Sequence, residues 1–225
     1  MQINYEKTSS VYAETLPTGR TYFTPDGSYP SITTLLGKTS PSQVWLQKWK
    51  EKVGEEEAAR ISKEATDRGT LVHEYLEKYW NGEDIVSDLA NEPIKVRSLA
   101  NALIKGTSQN VTEVWAQEIP VWSPTLGFAG RVDMIGKWNN VPAIIDFKTS
   151  KKLKKGKDIK DYYLQCSGYA HAHNELFGTD IKKIVVIIGV DGEVNPQIFE
   201  KVAPVFIPDL KNRILQYNKL VNETN

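Results

Sequence analysis

An α/β protein, with a helical first half ahead of a strand-rich second half, is predicted from three features of this 225-residue sequence. Apolar residues recur at helical spacing through residue 105, then switch at residue 111 to the two-residue alternation of strands. Two strand-like runs, Phe128–Trp138 and 143–148, flank a polar turn in which Asn139 and Asn140 tolerate left-handed backbone and Pro142 fixes φ. Residues 181–190, IKKIVVIIGV, make a continuous apolar run of the kind buried on both faces of a sheet.

In chain order, residues 1–30 are polar and punctuated by Pro17, Gly19, Pro25, Gly27 and Pro30, which reads as an extended arm. Ser31 is placed to cap a short helix through Ile32, Leu35 and Leu36 that stops at Gly37. A helix over 42–53 aligns Val44, Trp45, Trp49 and Val53 in one stripe, expected in the core because tryptophan buries so much area. Lys48, Lys50 and Lys52 are expected on a solvated face. One long helix over Glu55–Trp80 turns Ile61, Ala65, Val72, Tyr75, Leu76 and Tyr79 inward. Gly69 interrupts it at a cost of about 1 kcal/mol relative to Ala and suggests a close approach there. His73 follows one turn later on the same face. After a break at 81–84, a helix over 93–105 points Ile94, Val96, Leu99, Ala102 and Leu103 inward.

Residues 111–122 alternate as a strand, with Trp115, Ile119 and Val121 on one side and Val114, Ala116 and Glu118 on the other. An acid within a strand is costly unless paired or metal-linked, which singles out Glu118. Past the hairpin, Lys151, Lys152, Lys154, Lys155, Lys157 and Lys160 form the densest basic cluster, either a solvated loop or one that gathers phosphate. A helix over 162–177 is closed by Gly178 and sets Gln165 and Tyr169 one turn apart on a shared face. Gln197–Val202 reads as a companion strand, and 208–221 as a terminal amphipathic helix. Residues 1–110 are thus an arm and helical region packing on a core at 111–225.

The 28 basic and 28 acidic residues cancel, so a polyanion has to be held by a local patch. A single cysteine excludes an internal disulfide, a four-cysteine zinc site and a cysteine-ligated iron–sulfur cluster, and suits a reducing compartment. No apolar run of about 20 residues is present to span a membrane, and the first residues show no apolar signal region.

The chemistry concentrates on the hairpin. Asp146 and Lys148 project from one face of their strand while Ile145 and Phe147 project from the other, and the hairpin brings Asp133 alongside. Two carboxylates at a sheet end make the hard oxygen site that Mg²⁺ or Mn²⁺ prefers. A neighbouring lysine can orient a water or meet developing negative charge. Alone, an Asp and a Lys two residues apart are more often a solvated ion pair worth little.

In order, Gly69/His73, Glu118, Asp133, Asp146/Lys148 and Gln165/Tyr169 resemble the signature of the PD-(D/E)XK nuclease superfamily in its RecB-like branch, over residues 29–190. Val132 stands where the family name has proline, and the second acid is Asp rather than Glu. The stretch YPSITTLLGKTSPSQVWLQKWK is similar to the opening of the mitochondrial genome maintenance exonuclease group and its phage relatives. The resemblance implies a restriction-endonuclease-like αβββαβ core with a mixed central sheet and an N-terminal helical elaboration. It implies metal-dependent hydrolysis of phosphodiester bonds, with Mg²⁺ or Mn²⁺ held by His73, Asp133, Asp146 and the Phe147 carbonyl. Glu118 is then a ligand to a second ion or holds a metal-bound water. Lys148 positions the nucleophilic water, and Gln165 and Tyr169 fix Lys148 and the substrate strand. Ser31, Thr33, Lys151, Lys152, Lys154 and Lys155 are the expected DNA contacts. Lacking clustered cysteines, the chain resembles an iron–sulfur-free version, cytoplasmic in a bacterial or phage-infected cell. Its implied partners are single-stranded DNA or DNA ends, with replication or recombination proteins. The alternatives are a structure-specific endonuclease with the same site and a catalytically silent nucleic-acid-binding module.

Overall fold

The computed structural model describes residues 3–224. Two tight turns shape the first thirty residues. Pro17-Thr18 and Pro25-Asp26 each lead into a glycine at positive φ, Gly19 at 116° and Gly27 at 134°, where a side chain would be strained. The chain reverses twice, and β1 (Tyr12–Leu16), β2 (Gly19–Thr24) and β3 (Gly27–Pro30) form an antiparallel sheet. The expected extended arm is therefore corrected to a three-stranded sheet: the prolines and glycines close hairpins instead of merely interrupting a coil. This small sheet docks through buried Tyr22 packed with Trp122 and Ala129, and through the Trp122 indole N–H donating to Asp26 Oδ2 at 2.7 Å.

The large sheet comprises β4 (Val111–Ser123), β5 (Phe128–Trp138), β6 (Val141–Ser150), β7 (Lys183–Val190) and β8 (Gln197–Val202), in that spatial order. Only β6 and β7 run parallel, so the sheet is mixed as expected. Asn139 and Asn140, at φ 50° and 64°, supply the two left-handed residues that a two-residue hairpin turn needs. Pro142 lies inside β6 and not in the turn, just ahead of Ala143, the first residue paired to β7.

Helices cover both faces. α1 (Ile32–Lys38), α6 (Lys160–Phe177) and α7 (Ile207–Thr224) share a core with Val121, Val132, Ile144, Ile184 and Val186. α3 (Glu55–Trp80) and α5 (Ile94–Ser108) cover the other face, over Ile145, Phe147, Val185 and Ile187. β7 thus alternates between two cores, which is why its sequence is apolar throughout. α1 contributes to the first of these cores, and α3 and α5 to the second.

α2 (Gln43–Val53) contradicts the expected core stripe. None of its residues is buried, Trp45 is 66% exposed, and the helix rests on α3. Periodicity groups residues on a face without saying whether anything covers that face. The first half of α3 likewise overhangs, with Ile61 and Ala65 only half-buried, and Ile94 is exposed at the start of α5. A short α4 (Val86–Asn91) occupies the segment between α3 and α5. Among the described residues, no helix is long and apolar enough to cross a membrane.

Candidate active site

The site sits where two paired strands part. β5 and β6 pair from Trp138↔Val141 to Met134↔Ile145 and no further, while β6 continues beside β7 to Ser150. The backbone of Phe147 on the β5 side therefore meets side chains instead of a strand. Its N–H donates to Asp133 Oδ2 at 2.7 Å, and its carbonyl accepts from His73 Nε2 at 3.0 Å. With Nε2 so engaged, Nδ1 faces the acids, 3.8 Å from Asp133 Oδ1 and 4.0 Å from Glu118 Oε1. Those separations are too long for hydrogen bonds. They suit atoms flanking one cation at bond lengths of about 2.1 Å. The ligand atoms of His73, Glu118 and Asp133 all lie within 4.8 Å of one another.

Three elements converge to do this: α3 delivers His73, β4 delivers Glu118 and β5 delivers Asp133. Glu118 has φ 50°, a left-handed backbone that a side chain adopts at a cost of about 1–2 kcal/mol. Its neighbours Gln117 and Ile119 still pair with β5, so the distortion is confined to the acid itself.

Asp146 is buried, 1% exposed, and turns toward Lys148, whose Nζ lies 2.6 Å from its carboxylate oxygens. Oδ1 accepts a hydrogen bond, whereas Oδ2 has the ion-pair contact without hydrogen-bond geometry. A buried carboxylate oxygen with capacity to spare, within electrostatic reach of Asp133 and His73, fits a divalent ion with mixed nitrogen and oxygen ligands. Burial pushes the Asp146 carboxyl up to about 6, Asp133 adds to the shift, and Lys148 opposes it. Burial alone would lower the Lys148 ammonium, but Asp146 and Asp133 outweigh it and hold the proton on. At His73 burial also lowers, yet Asp133 and Glu118 prevail and the ring is raised above its ordinary value.

Gln165 and Tyr169 are placed differently from expectation. Gln165 Nε2–H donates to Tyr169 Oη at 3.0 Å, and neither hydrogen-bonds Lys148. The ring over the ammonium belongs to Tyr162, 5.2 Å from Lys148 Nζ. Sequence reasoning missed Tyr162, although it precedes Gln165 by three residues on α6 and so shares its side of the helix.

Ser31 is corrected as a DNA contact: it is buried, its hydroxyl lies 2.7 Å from that of Thr33, and only Thr33 is exposed. Lys151, Lys152 and Lys155 are exposed. Lys154 is tied to β8, its N–H donating to Gln197 Oε1 at 2.8 Å. The lysine loop thus leaves β6 and crosses β7, so only Lys151 and Lys152 stay next to the Asp146–Lys148 strand end.

A cleft of about 650 Å³ opens over the acids, lined by Gly69, His73, Glu118 and Asp133 together with Arg20 and Arg131. Neither arginine stood out in the sequence. Arg131 had a readable signal, since it alternates onto the same side of β5 as Asp133. Arg20 had none, because its position depends on how the small sheet docks.

The sequence profile of the PD-(D/E)XK nuclease superfamily matches residues 46–205. Mitochondrial genome maintenance exonuclease 1 of Mus musculus is 26% identical over 135 residues, covering 56% of this chain and 38% of that protein. The chain therefore spans well under half the length of that relative. The crystal structure of SSO0001 overlays at a TM-score of 0.42 and 14% identity, covering 78% of this chain and 70% of the other.

Proposed function

This chain belongs to the PD-(D/E)XK nuclease superfamily, and from that premise we propose that it is an exonuclease acting on single-stranded DNA with Mg²⁺ or Mn²⁺. The observation that carries the reading is the convergence of His73, Glu118 and Asp133 beside the Asp146–Lys148 pair. Those three side chains, with Asp146 next to them, would hold the ion, whereas the Phe147 carbonyl, expected as a ligand, accepts from His73 Nε2 on the far edge of the ring from the acids. An imidazole among carboxylates shifts preference toward Mn²⁺. When bound, the ion supplies Lewis-acid polarisation of the scissile phosphate.

The chain's own groups do the rest. Lys148 keeps a positive charge at the strand end, where it orients the attacking water and meets the charge that develops on the phosphate. Asp146 and the Tyr162 ring hold that ammonium in place. Asp133 fixes the backbone of Phe147, and hence the spacing between the two acidic strands. The Gln165–Tyr169 pair sits behind them, against Gly130 of β5.

Two features support a single strand as substrate. α2 presents exposed Trp45 with Lys48 and Lys52 on an otherwise uncovered helix, a stacking and backbone-tracking surface for unpaired bases. Thr33, Lys151 and Lys152 offer further phosphate contacts. The relative from mouse bears the name of an exonuclease, which favours attack from an end. Proteins of replication or recombination that expose such ends are the partners this activity suits.

The test is digestion of linear single strands labelled at either end, beside a circular strand, with Mg²⁺, Mn²⁺ or chelator. Short products from the linear strand alone, and none with chelator, are expected. Degradation of the circle would make the enzyme an endonuclease. Asp133→Ala, Asp146→Ala and Lys148→Ala are each expected to slow cleavage by about 10²-fold or more. A Lys148→Ala variant cutting at the wild-type rate would sink the mechanism.

A further inference from the structure

Two arginines border the cleft that Glu74, Glu77, Glu118 and Asp133 also line, and among the described residues neither forms an ion pair. Arg20 comes from β2 and Arg131 from β5, and both are exposed. Among the described residues, neither guanidinium has a carboxylate oxygen within the 4.0 Å of an ion pair. One side chain adjoins them both. The Arg20 guanidinium lies 5.4 Å from the centre of the Tyr22 ring, and the Arg131 guanidinium is close enough to Tyr22 to oppose the rise that burial causes in its pKa. Tyr22 is itself 3% exposed, locked between Trp122 and Ala129 at the junction of the two sheets. Two like charges beside one rigid ring repel each other unless an anion lies between them.

We propose that Arg20 and Arg131 form a seat for a phosphate of the nucleic acid strand, next to the one that is cut. The inference rests on the nuclease reading and extends it, because it gives the N-terminal sheet a purpose in gripping substrate. Arg131 is two residues from Asp133 on β5, so the seat and the cation site lie along the same strand, about one nucleotide step apart. Guanidinium forks match phosphate oxygens in pairs, and the Tyr22 ring lies under the Arg20 fork before substrate arrives. The phosphate is either an internal diester or a terminal monoester; the chemistry of the seat is the same for both.

The test measures binding of short fluorescent single strands by the full chain in chelator, across a salt series. Arg20→Ala and Arg131→Ala are each expected to weaken binding about tenfold or more. The double variant is expected to flatten the slope of log affinity against log salt by about 0.7, the value for one phosphate contact on a single strand. Arg→Lys at either position keeps the charge and loses the fork, so it falls between wild type and Ala. A loss confined to 5′- or 3′-phosphorylated strands assigns a terminal monoester. An equal loss on hydroxyl-ended and circular strands assigns an internal diester. Binding and slope within about twofold of wild type in the double variant, at an unchanged melting temperature, would overturn the seat. Metal-dependent cleavage by wild type is run separately. If wild type cuts while the arginine variants bind as it does, only the seat fails. If wild type neither binds nor cuts, the nuclease reading fails with it.

Discussion

At His73, burial opposes the imidazolium while Asp133 and Glu118 favour it, and the carboxylates win. A histidine raised in this way contributes stability that is full below its unfolded value of about 6.5 and is lost as pH rises through the folded one. A cation has to displace that proton. Asp146 adds to the same dependence, because its carboxyl is raised to about 6 by burial and must ionise beside the ion. Mn²⁺ affinity measured by calorimetry is therefore expected to fall about tenfold per unit between about pH 7 and 6, one displaced proton's worth. In His73→Gln the fall should be shallower; an identical slope would remove His73 from the site. Glu118 supports a second expectation. Its left-handed backbone costs about 1–2 kcal/mol, and glycine adopts it freely at the price of some chain entropy. Glu118→Gly should melt at or above the wild-type temperature while losing Mn²⁺ affinity, and a clear drop in melting temperature would mean that no strain is stored there. The sequence marked Glu118 as an acid in a strand, but its backbone angle depends on the way β4 meets β5 and has no local signature.

The hairpin of β5 and β6 was the most legible element, its first strand matching Phe128–Trp138 residue for residue, because a two-residue Asn-Asn turn between two mostly apolar runs sets one register. α3 was legible for the same reason, its period persisting from Glu55 to Trp80. β1 to β3 were not, since strands of four to six residues separated by Pro and Gly look like coil until they are seen to pair. Gly69 is instructive. No close approach requires it: a Cβ there would sit 3.8 Å from Thr149 Oγ1, an ordinary contact. What it faces is the cleft. Gly69→Ala is expected to stabilise the helix by about 1 kcal/mol in thermal melts and to raise KM by narrowing the cleft. Gly130 is the opposite case, because a Cβ would meet the Tyr169 ring at 2.5 Å. Gly130→Ala should destabilise by about 1–3 kcal/mol through overpacking and break the Gln165–Tyr169 hydrogen bond. A neutral Gly130→Ala would show that the ring has room to move.

Across the whole molecule, function depends on a sheet that forks. β5 and β6 stay paired through Met134↔Ile145 and then part, and the gap admits His73 from the helix on one face and Asp133 from the strand beside it. The residue types in the site were readable from order and spacing, whereas their partnering was not. Asp146 is paired with Lys148 beside the cation position, and Glu118 forms the close trio with His73 and Asp133. The exposed face of α2 and the arginines of the cleft likewise depend on how distant segments pack. All of this rests on one cation position at the fork. Crystals grown with saturating Mn²⁺ test it directly, through the anomalous signal of the metal. The expected result is a peak within about 2.3 Å of a His73 ring nitrogen and an Asp133 carboxylate oxygen. A well-ordered site with no peak there, or with the peak elsewhere, would contradict the account.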